Sequence, residues 1–249
     1  MLFNFFKSKV NRAAAPAATA QKSKSVKPVC FISPEGKMGI RDKHSDTVII
    51  SPVYDFIDKI VCDKRAIVYT CDGVSVISLE GEVIVPAGRY TTIKHYKNGM
   101  AAVEDEFGWT FIDVDGVEIP RRFKNVLWFF NEDVSGAQLR SGMWVYIDKA
   151  GKTISARYNR IDEVRNGFAV VCLDGKSGVV KKEQTGMVEI MGCTCSRVAL
   201  AENGFSAYVD GVWRNYDASG NVMDTGGEYA RMDADIDIYR AYANSYAAM

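Results

Sequence analysis

A repeat of about 35 residues constrains the fold of this chain more than any other feature of its sequence. The anchor positions of the repeat are separated by 36, 35, 35, 33 and 36 residues. Four of the six anchors are followed by a glycine seven residues later, and five of the units then carry a large aromatic residue. This regularity indicates tandem structural units that pack on their chain neighbours. The anchors are Met38, Val74, Trp109, Trp144, Ser177 and Trp213.

Each unit has the pattern of three short β-strands. Asn-Gly pairs precede the first strand in three units, and Asp-Gly pairs join the first strand to the second in three units. Both pairs are common in tight hairpins because Gly accepts positive φ. In the second strand, alternation places Phe111 on one face and Ile112 on the other, as expected for sheets that pack on both sides. The sequence therefore predicts an all-β fold of six tandem three-stranded β-meander repeats, arranged as an open solenoid-like array or a closed propeller-like ring.

The units resemble the WG repeat, whose sequence is roughly Gly-Lys-Trp-Gly-Tyr-Ile-Asp followed by Gly, Ile-Pro-x-x-Tyr-Asp and Phe-x-x-Gly-x-Ala-x-Val. The resemblance covers about residues 28–229 and is carried best by residues 109–113 and 142–148. Trp and the following Gly never occur together here, so the repeats are degenerate. The resemblance implies tandem β-repeats and supplies no catalytic residue. Within this pattern, we expect Trp144 to be a core residue of a central unit.

The two ends of the chain lie outside the repeat domain, which we assign to residues 28–229. Residues 1–27 lack the apolar residues needed for a core, which predicts a disordered tail. The tail begins with an apolar and basic segment that could dock on a membrane surface or a partner, although a terminus without any role is the alternative. Residues 230–249 have apolar residues at helical spacing, which predicts an amphipathic helix able to cap the array. The docking candidates in the tail are Leu2, Phe3, Phe5, Phe6, Lys7 and Lys9.

The charge distribution argues against nucleic-acid binding. Residues 1–33 contain six basic and no acidic residues, which leaves 31 − 6 = 25 basic against 31 acidic residues in the rest of the chain. The repeat domain therefore lacks the basic stripe typical of proteins that bind a duplex.

Six cysteines in a chain of this size do not form a disulfide scaffold. With no apolar run of about 18 residues, the sequence predicts a soluble protein in the cytoplasm.

Residue types that could carry chemistry are present but do not form a convincing site. His44 and His95 have no third ligand at metal spacing, and Cys193 and Cys195 lack the two-residue spacer of metal and redox motifs. The series Asp233, Asp235 and Asp237 lacks the Gly and Glu of a calcium loop. Asp113, Asp148 and Asp217 recur at equivalent positions, which favours turn capping over catalysis. We therefore expect no catalytic residue, no metal and no cofactor.

One aromatic cluster departs from the repeat. Trp128, Phe129 and Phe130 follow one another near the end of the third sequence unit, where other units have a single aromatic residue. One of the two phenylalanines is expected to fill the core position, which leaves Trp128 in excess. Because aromatic residues are enriched at interfaces, the cluster is a candidate partner-binding site, with an ordinary core role as the alternative.

These observations favour a non-enzymatic repeat scaffold that binds a protein partner through its repeat surface. One alternative is a protein that binds or sequesters a small ligand, such as a nucleotide or a sugar, between units or at the centre of a ring. The other alternative is a hydrolase whose catalytic residues are dispersed in the sequence.

Overall fold

The computed structural model describes residues 26–61 and 65–223, in which all regular secondary structure is β-strand. The predicted C-terminal helix and almost all of the predicted N-terminal tail lie outside these residues. Within this part of the chain, no helix has the length and apolar character required to cross a membrane. The strands are β1 Pro28–Ile32, β2 Met38–Asp42, β3 Val48–Tyr54, β4 Phe56–Val61, β5 Arg65–Thr70, β6 Gly73–Ser78, β7 Val83–Val85, β8 Thr92–Ile93, β9 Met100–Asp105, β10 Gly108–Asp113, β11 Asn125–Val126, β12 Val134–Gln138, β13 Trp144–Asp148, β14 Arg160–Ile161, β15 Phe168–Leu173, β16 Lys176–Glu183, β17 Gly186–Cys195, β18 Arg197–Ala201, β19 Gly204–Val209 and β20 Val212–Asp217.

The strands form six antiparallel sheets in chain order, as the repeat predicts. Four sheets have three strands, and the second and fifth sheets have four. The first sheet is β1–β3, the second β4–β7, the third β8–β10, the fourth β11–β13, the fifth β14–β17 and the sixth β18–β20. The fifth sheet contains the most irregular unit, because β16 and β17 form a long hairpin interrupted by register shifts.

The division of each unit into strands differs in one respect from the expectation. Every sheet after the first begins with a strand that precedes the hairpin turn, and the sequence pattern did not reveal this strand. The predicted third strand is regular only in the first, second and fifth sheets, as β3, β7 and β17. Elsewhere it pairs through isolated bridges, such as Ile112 with Glu118 and Trp109 with Phe123.

The core lies between sheets, because central strands bury side chains on both faces. Among the described residues there are five clusters of buried apolar side chains, and each joins two sheets that are consecutive in the chain. None of these clusters joins the sixth sheet to the first. The third sheet shows the principle, with Ala101, Val103 and Ile112 facing the second sheet and Met100, Ala102 and Phe111 facing the fourth.

The deepest position of the fourth sheet belongs to Tyr146, which corrects the expectation for Trp144. Trp144 opens β13 at the margin of the core and is only half-buried. Tyr146, two residues further along the same face, is fully buried and donates a hydrogen bond from its hydroxyl to the Asp162 carbonyl oxygen at 2.7 Å. The anchor tryptophan therefore covers the edge of the core, while the following aromatic residue fills it.

The repeated aspartates cap turns, as predicted. The Asp113 Oδ1 atom accepts hydrogen bonds from the NH groups of Asp115 and Val117 at 2.9 and 2.8 Å. Asp148 and Asp217 accept the two equivalent NH groups at distances from 2.8 to 3.0 Å. In each case the carboxylate satisfies backbone donors of the turn that follows its strand.

Candidate partner-binding segment of the fourth sheet

The hairpin that opens the fourth sheet is one residue longer than its counterparts. In the third sheet, the NH groups of Lys94 and Lys97 donate across the hairpin at 2.8 and 2.9 Å and are three residues apart. The equivalent donors in the fourth sheet are Leu127 and Asn131, which also bond at 2.8 and 2.9 Å but are four residues apart. The fifth sheet returns to a separation of three residues. Residues 127–131 therefore contain one inserted residue relative to both neighbouring sheets.

Phe130 occupies the core position of this longer hairpin. The residue before the last bonded position is buried in all three sheets, as Tyr96, Phe130 and Val164. The Phe130 ring is fully buried and meets the Phe111 ring edge-on, with centroids 4.8 Å apart. This arrangement confirms that one phenylalanine of the cluster fills the core. It also removes Phe130 from the predicted partner-binding set, since a buried ring cannot contact a partner at the surface.

Side-chain hydrogen bonds fix the backbone of the inserted segment. The hydroxyl of Ser135, itself buried, lies within hydrogen-bond distance of the carbonyl oxygens of Leu127 and Phe129, at 3.1 and 3.0 Å. The Asn98 Nδ2 group of the third sheet donates to the Phe130 carbonyl oxygen at 2.6 Å. The carbonyl groups of Leu127, Phe129 and Phe130 are thus anchored to the body of the protein, which restricts the conformation of the segment.

The turn that follows the insertion has unusual residues for its conformation. Asn98-Gly99 in the third sheet and Asn166-Gly167 in the fifth have positive φ at both positions, as a type I′ turn requires. The fourth sheet makes the same turn with Glu132 and Asp133, at φ values of 49° and 64°. Left-handed conformations of such non-glycine residues are unfavourable by about 1 kcal/mol or more each. The strain is therefore concentrated next to the inserted residue.

Contacts from neighbouring segments hold this strained turn in place. The Glu132 carboxylate accepts a hydrogen bond from the Gly167 NH group of the fifth sheet at 3.0 Å. The backbone carbonyl oxygen of Glu132 accepts a second hydrogen bond from the Lys182 ammonium group. The Asp133 carboxylate forms an ion pair with Lys149 at 2.7 Å, which lowers the pKa of Asp133. Both strained residues thus use their own polar groups to bind neighbouring segments.

Two aromatic side chains at the insertion reach the surface, and lysines lie over both. Trp128 retains 37% of its surface exposed, and Phe129 is partly buried. The Lys94 Nζ atom is 4.2 Å from the Trp128 ring centroid and 5.9 Å from that of Trp109, while the Lys97 Nζ atom is 5.1 Å from the Phe129 centroid. Such contacts are worth about 0.5–1 kcal/mol at exposed sites. We refer to Lys94, Lys97, Trp109, Trp128 and Phe129 as the aromatic–lysine patch.

A cleft of about 360 Å³ lies at the turn-bearing edge of the third and fourth sheets. Its walls include Asn98, Met100, Glu118, Ile119 and Lys149. Most polar groups in it are already engaged, since Asn98 binds the Phe130 carbonyl oxygen and Lys149 binds Asp133.

Glu118 lies at the rim of that cleft and belongs to a charged network. Burial alone would raise its pKa, but hydrogen bonds from Tyr90, Arg89 and Arg122 outweigh this effect and lower the pKa to about 2. Arg122 also donates to Asp105 at 2.7 and 2.8 Å. Tyr90 precedes the third sheet and Glu118 follows its last strand, so the network fastens these segments together. Glu118 has the electrostatic character of a structural carboxylate rather than that of a general acid or base.

The other side chains considered in the sequence have structural environments. His95 pairs with Asp58 of the second sheet through Nε2 and Oδ2 at 2.6 Å. Cys193 and Cys195 lie in β17, and burial raises the pKa of both thiols, which disfavours the reactive thiolate. In residues 26–61 and 65–223, no three His, Cys, Asp or Glu side chains are grouped closely enough to hold a metal ion.

With this geometry established, the sequence comparison identifies the repeats. The family model described as "WG containing repeat" matches residues 75–106 and 144–176. The chain therefore contains WG repeats in these two regions. The first matched region runs from the second sheet into the third, and the second runs from the fourth sheet into the fifth. The matched regions thus flank the inserted hairpin, and the resemblance seen in the sequence is confirmed. No curated protein sequence matches this WG-repeat chain.

Several solved structures are similar to the WG-repeat chain at low sequence identity. The computationally designed Ika8 protein matches 82% of this chain and 72% of its own, at 11% identity and a TM-score of 0.35. BamB from Moraxella catarrhalis matches 80% of this chain and 70% of its own, at 12% identity and a TM-score of 0.34. Hsv2 from Kluyveromyces lactis matches 81% and 82%, at 11% identity and a TM-score of 0.40.

Sequence reasoning located part of the patch and missed the rest. It singled out Trp128 and Phe129 because their aromatic cluster breaks the repeat. Lys94 and Lys97 were missed because they belong to the preceding sheet and meet the rings only after folding. The strained turn could have been found, since Glu132-Asp133 occupies the place of Asn-Gly in the repeat. The candidate docking residues of the tail, Leu2 to Lys9, lie outside the described residues.

Proposed function

We propose that this WG-repeat chain is a non-enzymatic scaffold that binds a protein partner through Trp128 and Phe129 of its fourth sheet. The single observation that carries the proposal is that three departures from the repeat coincide at one hairpin. These departures are the inserted residue, the exposed indole and the strained turn. Natural proteins depart from local sequence–structure rules mainly at functional sites, where another requirement outweighs stability.

The segment also has the physical properties of a binding site. Its backbone is fixed by hydrogen bonds from Ser135 and Asn98, so little conformational entropy is lost when a partner binds. A partly exposed tryptophan next to a second aromatic ring is the type of group that contributes most to protein–protein binding energy. The flanking sheets supply a rigid platform on both sides.

Photo-crosslinking tests this proposal directly. A photoreactive phenylalanine analogue placed at Trp128 should crosslink to a specific protein in the native cell, because the side chain projects from the surface. The same analogue at Phe56, an aromatic residue of the second sheet with 50% of its surface exposed, is the matched control. An adduct that forms at position 128 and not at position 56, identified by mass spectrometry, supports the proposal. Identical adducts at both positions, or none at position 128, contradict it.

Small-ligand binding is a second candidate because the cleft between the third and fourth sheets has about 360 Å³, within the usual range for ligand sites. A thermal-shift panel of nucleotides and sugars addresses it. A large shift that is abolished by Ala150→Trp, a substitution at an exposed residue of the cleft wall, would favour the ligand over the protein partner.

A further inference from the structure

The lysines of the aromatic–lysine patch are not required by the repeat. The backbone position of Lys94 is occupied by Leu127 in the fourth sheet and by Asp162 in the fifth, as their equivalent hydrogen bonds show. The position of Lys97 is occupied by Asn131 and Arg165. A position that accepts an apolar, an acidic or a basic residue does not need lysine for folding. The presence of a lysine at position 94 therefore has a reason other than folding of the repeat.

Neither lysine is neutralised within the described part of the chain. Lys94 and Lys97 contact aromatic rings there, and no carboxylate lies within ion-pair distance of either ammonium group. By contrast, the surface lysine Lys149 is paired with a carboxylate at 2.7 Å. An ammonium group has three donors, and a ring face can engage only one side of it. The remaining donors of Lys94 and Lys97 point to solvent or to a partner.

The rings also prepare the lysines for binding. A free lysine loses considerable rotational entropy when it forms an ion pair, which is one reason why exposed pairs contribute little. The indoles of Trp128 and Trp109 both lie within 6 Å of the Lys94 ammonium group and restrict its motion before any partner arrives. A carboxylate that binds there gains charge attraction with a smaller entropic loss.

From these observations we infer that the partner presents a short acidic segment, whose carboxylates bind Lys94 and Lys97 and whose apolar side chain packs on Trp128. The inference rests on the proposed function and specifies the chemistry of the partner.

The charge around the patch favours a short acidic peptide over a nucleic acid. Glu132 and Asp133 follow the inserted segment in the chain, and the Glu163 carboxylate accepts a hydrogen bond from the Asn131 side chain at 3.2 Å. Beyond residue 33 the chain has 25 basic and 31 acidic residues. A long polyanion would be repelled by these carboxylates, whereas a short segment can place two carboxylates on the two lysines and end there.

The test uses the full chain and defined probes. An N-acetylated, C-amidated peptide Glu-Leu-Glu, its glutamine counterpart Gln-Leu-Gln and a single-stranded thymidine oligonucleotide are titrated while the Trp128 indole NH resonance is followed by NMR. We expect the acidic peptide to shift this resonance, the glutamine peptide to have little effect, and added salt to weaken binding. The combined variant Lys94→Met and Lys97→Met, which keeps the apolar stems over the rings, should weaken binding about tenfold or more. Lys43→Met, at an exposed lysine of the first sheet, is the control and should have no effect.

The outcomes separate this inference from the proposed function. Tighter binding of the oligonucleotide, equal binding of both peptides, or no binding of the acidic peptide would overturn the inference. An unchanged crosslink from position 128 in the double methionine variant would also overturn it, while leaving the proposed protein partner intact. Absence of any crosslink in the wild-type background would instead reject the proposed function itself.

Discussion

The third and fourth sheets follow one strand plan but use it differently. In the third sheet the hairpin closes with Asn98-Gly99, and the bridged segment after its last strand carries Glu118 in a charged network. In the fourth sheet the hairpin has an extra residue and closes with Glu132-Asp133, and the equivalent bridged residue is the neutral Thr153. The third sheet is therefore built mainly for stability. In the fourth sheet, one hairpin is less stable because its turn is strained, and two aromatic rings reach the surface at this hairpin.

The largest effect is expected from the core position that the two hairpins share. Phe130→Ala should lower the free energy of unfolding by about 3–5 kcal/mol, because it removes a fully buried ring that packs on Phe111. Denaturant unfolding provides the measurement. A loss below about 1 kcal/mol would mean that the inserted residue has been assigned wrongly and that Phe130 is not the equivalent of Tyr96.

The charged network of the third sheet predicts a loss of stability in acid. Its hydrogen bonds lower the pKa of Glu118 from 4.5 to about 2, so the folded state binds the Glu118 proton less readily than the unfolded state does. The resulting stabilisation is fully present above pH 4.5 and is lost as the pH falls towards 2. In Glu118→Gln, the free energy of unfolding should be lower at neutral pH and should depend less on pH across this window. An unchanged pH profile in the variant would show that other carboxylates dominate the acid sensitivity.

Giving the hairpin of the fourth sheet the turn sequence of the third should make the two hairpins more alike. Replacing Glu132-Asp133 with Asn-Gly should raise the free energy of unfolding by about 1 kcal/mol, because both new residues accept positive φ with little strain. The gain is reduced by loss of the hydrogen bond from Gly167 NH to the Glu132 carboxylate and of the ion pair between Asp133 and Lys149. Urea unfolding of the two proteins measures the difference. A net destabilisation would mean that these polar contacts outweigh the backbone strain.

The smallest effect on stability is expected at the exposed ring. Trp128→Ala should change the free energy of unfolding by less than about 1 kcal/mol, since the side chain is partly exposed and its position is an insertion. Binding of the partner should nevertheless be strongly weakened, with Phe56→Ala as the control for removal of an exposed ring. A stability loss as large as that of Phe130→Ala would place Trp128 in the core and exclude it as a binding residue.

The sequence by itself determined the number of units, their all-β character and the capping role of Asp113, Asp148 and Asp217. These properties depend on local periodicity and on turns, which are encoded over a few neighbouring residues. It also predicted that one phenylalanine of the cluster would fill the core and that Trp128 would be in excess. Burial depth along a strand depends on how far each neighbouring sheet extends over it, and for this reason Tyr146, rather than Trp144, fills the core.

Only the tertiary structure added Lys94, Lys97 and Trp109 to the two aromatic residues of the patch that the sequence had singled out. Lys94 precedes Trp128 by more than 30 residues, and the two meet because the third and fourth sheets pack face to face. Likewise, two hydrogen bonds that hold the strained turn come from Gly167 and Lys182 of the fifth sheet. These residues follow Glu132 by 35 and 50 residues in the chain. A repeat pattern describes what the units have in common. The contacts that distinguish one unit from the others form only between units, where the packing of sheets brings distant residues together.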